Sequence, residues 1–233
     1  MLKKPELTLS EILEKGDQYY LTDLSIDCVI FGFHDNQLKV LLLQFKDTER
    51  WCLPGGFILK EEHIDAAAVR ILKDRTNLDN IYLRQFYAFG NPYRGEHGFK
   101  RPPEITKSWV LDRFVTIGYW ALVEFSKAVP SPDAFSLDCK WWDILKVPQL
   151  VLDHNNILEK ALTSLRIHIN DYPVGRDLLP EKFTMPELQR VYETIYGKAL
   201  DRRNFQKKML SFGILEKLKE RKRGGAHKAP YLD

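Results

Sequence analysis

Apolar and polar positions alternate from position 24 onward in LSIDCVIFGFHDNQLKVLLLQF, broken once at His34-Asp35-Asn36. Period-two alternation rich in branched and aromatic residues predicts two strands joined as a hairpin. Before it, residues 7–16 predict a short helix that Thr8 or Ser10 can cap. After it, residues 56–78 set Ile64, Ala67, Ala68, Ile71 and Leu72 on one helical side and stop near Asn77, a residue tolerant of the left-handed cap. Residues 81–89 and 115–125 predict further strands, and Trp141-Trp142-Asp143 lies in a last one. The irregular stretch between the first two is too long for a tight turn, and loops of that kind usually carry function. Ile157, Leu158, Ala161, Leu162, Leu165 and Ile169 form a helical stripe over residues 153–170, and the proline-containing residues 171–180 are expected to be a linker.

The last quarter has its own pattern. In FTMPELQRVYETIYG, Thr184 and Glu187 make a capping box, Phe183 and Leu188 a hydrophobic staple, and Gly197 a stop. A second helix opens at Asp201 and is expected to run to Gly213, with Phe205, Met209 and Phe212 inward and Arg203 and Lys207 outward. ILEKLKERKRGGAHKAPYLD then predicts strand, Gly224-Gly225 turn, strand. Helix, short turn, basic helix and basic hairpin follow the plan of a winged helix-turn-helix, whose second helix enters the major groove. The expected segments are an N-terminal helix at 1–20, a main domain at 21–150, a connecting helix and linker at 151–180 and the winged module at 181–233.

Charge sharpens this division. Residues 181–233 hold 13 Lys and Arg against 7 Asp and Glu, whereas residues 1–180 hold 22 against 25. A basic module on a mildly acidic body points to an acidic partner, of which nucleic acid is the commonest. Cys28, Cys52 and Cys139 are odd in number, widely spaced and set among apolar residues, which suits buried thiols better than disulfides or zinc ligation. No apolar run approaches the roughly 20 residues that span a bilayer, and MLKKPELTLSEILEKG has no secretory apolar core. A cytoplasmic protein is therefore expected.

Residues Gly55 to Leu78 read GGFILKEEHIDAAAVRILKDRTNL. Set against the Nudix motif G-x5-E-x7-R-E-U-x-E-E-x-G-U from Gly56, they keep the glycine, Glu62, Arg70, Leu72 and Leu78. The three carboxylates expected after the arginine fall at Ile71, Asp74 and Arg75. Diphosphate hydrolysis uses divalent cations held by such carboxylates. An isoleucine and a cation in their places predict binding without turnover, with no catalytic residue, metal or cofactor.

RWCLPGGF, this box and FTMPELQRVYETIYGKALDRRNFQKKML together resemble the NrtR-like family of Nudix-related transcriptional regulators, over almost the whole chain from about Tyr19. The resemblance implies an α+β protein, a Nudix-like α/β/α sandwich with a mixed sheet followed by a winged helix-turn-helix domain. It also implies a homodimer on a near-palindromic operator in double-stranded DNA and a small-molecule effector. That effector is ADP-ribose in the NAD-metabolism branch and L-arabinose in the sugar branch that includes the arabinose regulator AraR. The lost carboxylates favour the sugar branch, and so a repressor of sugar catabolism, with ADP-ribose sensing or a divergent Nudix hydrolase as the alternatives. A sugar pocket needs convergent polar groups and an aromatic wall, for which the candidates are Asp27, Arg50, Trp51, Lys60, Arg94, Glu104 and Trp109. For DNA, Arg202, Arg203, Asn204 and Gln206 have the side chains that read base edges. Lys207, Lys208, Lys217, Lys219, Arg221, Lys222, Arg223, His227 and Lys228 complete the basic surface, the wing residues being suited to phosphate.

Overall fold

The computed structural model describes residues 7–46, 50–79, 81–94 and 108–218. Its frame is a mixed sheet of β1 (Tyr20–His34), β2 (Gln37–Phe45), β3 (Trp51–Cys52), β4 (Gly55–Leu59), β5 (Tyr82–Phe89), β6 (Val115–Val123) and β7 (Ser136–Asp143). The strand order is β3-β2-β1-β6-β5, with β4 added to β1 and β7 to β2. The predicted hairpin is β1–β2, turned by Asp35 and Asn36, both at positive φ. β1 also runs parallel to β6, from Leu24↔Val115 to Gly32↔Val123.

Alternation along β1 assigns the two faces. Ile26, Cys28 and Ile30 point toward α2 (Ile64–Thr76) and pack with Ala67, Ala68, Ile71 and Leu72. His63 caps this helix, and Asn77 ends it at φ 55°, in the left-handed role expected of it. Val29 and Phe31 point the other way, into a core shared with Ile157, Ala161 and Leu165 of α3 (His154–Asp171). That core continues without a break through Leu188, Val191 and Tyr192 of α4 (Met185–Tyr196) to Phe205 and Met209 of α5 (Arg202–Ser211). A third, smaller cluster joins α1 (Leu9–Lys15), capped by Thr8, to Phe57 and Trp109.

The segment expected to be a linker is a packed element. Val174–Leu178 forms a 3₁₀ helix, with Val174 and Leu178 inside the common core. Gly175 lies so close to Tyr192 that a Cβ there would sit 2.6 Å from the ring. Polar contacts fasten the same junction: Arg166 Nε donates to the Ile195 carbonyl at 2.7 Å, and Arg190 Nη1 to Asn36 Oδ1 at 2.9 Å. The Thr184–Glu187 capping box forms as expected, and Gly197 ends α4 at φ 68°. α5 stops at Ser211, two residues short of expectation. Residues 214–218 adopt no strand, and the rest of the predicted wing hairpin lies outside the described residues.

Candidate effector cluster and nucleic-acid interface

On the α2 face, the side chains where hydrolysis would take place belong to the core. Ile71 is 2 % exposed. Its Cδ1 lies 3.0 Å from where Gly56 would carry a Cβ, so it fills the space above that glycine. Both carboxylate oxygens of Glu62 accept from Arg70, at 2.8 and 2.7 Å, and Arg70 also donates to the Phe57 carbonyl. Burial works against the Arg70 charge, yet the Glu62 hydrogen bonds and charge outweigh it and hold its pKa above the ordinary value. Arg75 is buried and turns to the β6–β7 connection. It donates to the Ser131 carbonyl at 3.2 Å and lies 4.0 Å from Asp133, while its own carbonyl accepts from the Ser131 N–H. The neighbouring thiols share this dry environment, and burial pushes Cys139 up to about 12.

The opposite face carries buried charge. Asp27 shares the phase of Val29 and Phe31, and it pairs across the sheet with Gly55 of β4 and Gly118 of β6. Its carboxylate occupies the space a Cβ at Gly55 would need, 2.6 Å away, which explains a glycine at the start of β4. Arg94, 8 % exposed, closes an Asn91-led turn after β5. Its Nη2 donates to Asp27 Oδ2 at 3.2 Å and to Asp153 Oδ1 at 2.9 Å, and its Nε donates to the latter oxygen at 3.1 Å. Asp153 stands at the N-cap of α3 and makes no side-chain cap bond; its backbone, at φ −98° and ψ 21°, departs from the extended conformation of a capping aspartate, and its carboxylate faces Arg94. His154 completes the group. Its Nδ1 accepts from the Leu53 N–H at 2.9 Å, and its Nε2 lies 3.8 Å from Asp27 Oδ1. Burial lowers the His154 pKa, against the pull of Asp27.

Of the ligand candidates named above, the fold unites Asp27 and Arg94 and adds Asp153 and His154. The two tryptophans named as an aromatic wall are found in separate hydrophobic clusters. Trp51 packs in the α3-side core edge-on to Trp142 with the Lys140 ammonium above it. Trp109 packs under α1, its indole N–H donating to the Ile12 carbonyl at 2.8 Å. Arg50 and Lys60 are exposed and stand outside the buried cluster, and Glu104 lies outside the described residues. None of the candidates among the described residues lines the open cleft of about 960 Å³ bounded by Leu78, Tyr82, Arg176, Phe183 and Leu215. Sequence reading missed the Asp153–His154 half because only the apolar stripe of residues 153–170 was legible, and the two polar residues that open it carry no local mark of their partners.

The second surface is α5. Asp201 caps it by accepting from the Asn204 N–H at 2.9 Å, and Phe205 and Met209 anchor it in the core. Arg202, Arg203, Asn204, Gln206, Lys207 and Lys208 are all exposed. Lys208 is engaged, donating to Asn170 Oδ1 of α3 at 2.8 Å. Lys217 is the last of the basic candidates within the described residues, since Lys219, Arg221, Lys222, Arg223, His227 and Lys228 lie beyond them.

Two family patterns match in tandem, the NUDIX domain over residues 22–162 and the NrtR DNA-binding winged helix domain over residues 175–232. A curated relative, the ADPR responsive transcriptional repressor NtrR of Acinetobacter baylyi, is 30% identical over 213 residues, 88% of this chain and 79% of its own. The chain belongs to the NrtR-like Nudix regulators. Shewanella oneidensis NrtR, solved in complex with a 27mer DNA, shares 28% identity with a TM-score of 0.73 across 90% of this chain and 91% of that one. A MutT/nudix family protein from Enterococcus faecalis, 22% identical with a TM-score of 0.66 over 98% of this chain and 95% of its own, shares the fold. Within the NrtR-like family α4 and α5 are therefore the helix pair of the DNA-binding domain.

Proposed function

We propose that this protein is a transcriptional repressor that binds duplex DNA through α5, and that its Nudix domain senses ADP-ribose without hydrolysing it. The observation that carries the reading is the likeness to the ADPR responsive repressor across 88% of the chain. The exposed cationic face of α5 supports the DNA half. The filled positions of Ile71 and Arg75 support sensing without turnover. The relative's name speaks of ADPR, so the comparisons favour ADP-ribose over the sugar that the lost carboxylates suggested. The sugar preference assumed that binding a diphosphate needs the same metal cage as cleaving it. Buried Arg94 offers a cation of its own, which removes that assumption. The protein works as a cytoplasmic homodimer whose two α5 helices read the halves of a near-palindromic operator.

An electrophoretic shift with the upstream region of its own operon tests this. Specific retardation is expected, weakened by ADP-ribose and unaffected by L-arabinose. By linkage, operator DNA lowers ADP-ribose affinity by the same factor. Brisk cleavage of ADP-ribose with magnesium by a protein that ignores duplex DNA would overturn the reading.

A further inference from the structure

The geometry points to Arg94 as the residue that takes the effector's diphosphate, with Asp27 and Asp153 holding its guanidinium in the effector-free protein. This inference rests on the ADP-ribose reading above. The guanidinium is buried and clasped by two carboxylates from different elements, β1 and the start of α3. A guanidinium fork suits phosphate oxygens as well as carboxylates. A diphosphate therefore competes for the same donors.

The two carboxylates differ in what they can do once Arg94 is taken. Asp27 is fixed in the middle of β1 beneath Gly55 and has nowhere to turn. It stays as an acceptor for a ribose hydroxyl. Asp153 sits at the N-cap of a helix whose first turn it leaves uncapped. Released from Arg94, it can turn to accept from those N–H groups, favoured by the positive end of the helix dipole. Asp153 thus has two discrete partners, and the effector decides between them.

That choice reaches the DNA-binding helix through one rigid rod. α3 runs from Asp153 to Asp171, and its far half holds the Ile195 carbonyl of α4 through Arg166 and Lys208 of α5 through Asn170. A ligand shifts a conformational balance only by the difference in its affinity for the two states. Competition for Arg94 supplies that difference at the N-terminal end of α3.

Two substitutions in the full-length protein should change ADP-ribose affinity in opposite directions, read by isothermal titration. Arg94→Lys keeps the charge and loses the fork, and ADP-ribose should bind at least roughly tenfold more weakly. Asp153→Asn removes a competitor for Arg94 while leaving a good cap, and ADP-ribose should bind about threefold to tenfold more tightly. If both variants weaken binding together, or both bind as wild type does, the clasp is a structural ion pair and the inference is overturned while the sensor reading stands. Wild-type protein that fails to bind ADP-ribose overturns both. Should Arg94→Lys lose its cooperative melting transition, the sign of the Asp153→Asn change decides alone: tighter binding supports the subsite, and unchanged or weaker binding overturns it.

Discussion

The two faces of the central sheet both bury charge, and they differ in which elements that charge joins. Toward α2, positions that a Nudix hydrolase gives to carboxylates hold Ile71, pressed onto Gly56, and Arg75, tied to the β6–β7 connection. Toward α3, Asp27, Arg94 and His154 are buried, with half-buried Asp153 beside them, next to the core that leads to α4 and α5. Buried charge left unpaired is costly, so it is kept only where partners surround it. Toward α2 the buried charges are paired within one helix and its adjoining segments, Glu62 with Arg70 and Arg75 with Asp133, whereas toward α3 they join β1, the turn after β5 and the start of α3.

Restoring a carboxylate on the α2 face should produce the largest effect. Ile71→Glu places an unpaired charge in a dry core and should destabilise the fold by about 3–5 kcal/mol, with no gain of diphosphate hydrolysis. Denaturant midpoints and a phosphate-release assay with magnesium read the two outcomes, and an unchanged midpoint would mean that this face is open to water after all. A smaller effect is expected on the DNA-binding side, where stability should not change. Arg203→Ala should cost operator affinity ~1–3 kcal/mol and relax preference among bases, measured by titrating operator variants at fixed salt. An equal loss on every sequence would make Arg203 a phosphate contact.

The mildest test is of pH. Burial lowers the His154 pKa below its ordinary 6.5. Below that value the unfolded chain binds a proton that the folded protein refuses, so stability falls as the pH drops, and His154 contributes nothing to pH dependence above it. Melting temperatures between pH 7 and pH 5 should therefore decline less steeply in His154→Gln. His168, whose pKa burial also lowers, leaves a residual slope of the same sign.

What the sequence disclosed was what short-range chemistry decides. Thr184 with Glu187, Gly197, Asn77, and the Asp35-Asn36 turn each act on backbone within four residues, and each appears where its own side chain or φ preference puts it. The split between exposed and core-facing residues on α5 was also legible, since one helical period separates them. The buried cluster was not. Asp27 and Arg94 are 67 positions apart and Arg94 and Asp153 are 59 apart, and no local pattern marks residues that meet only because β1 and α3 pack together. Trp51 and Trp109 were ambiguous for the converse reason: an indole lines a pocket or fills a core equally well until its neighbours are known.

The packed 3₁₀ turn at Val174–Leu178 limits how this regulator can be recombined. A cut before residue 181, where composition alone invites one, would strip Val174 and Leu178 from Leu188, Val191 and Tyr192 and leave the DNA-reading half with a raw apolar flank. α3 packs both on Val29 and Phe31 of the sheet and on the core of α4, so no splice between the two halves leaves both with a covered apolar face.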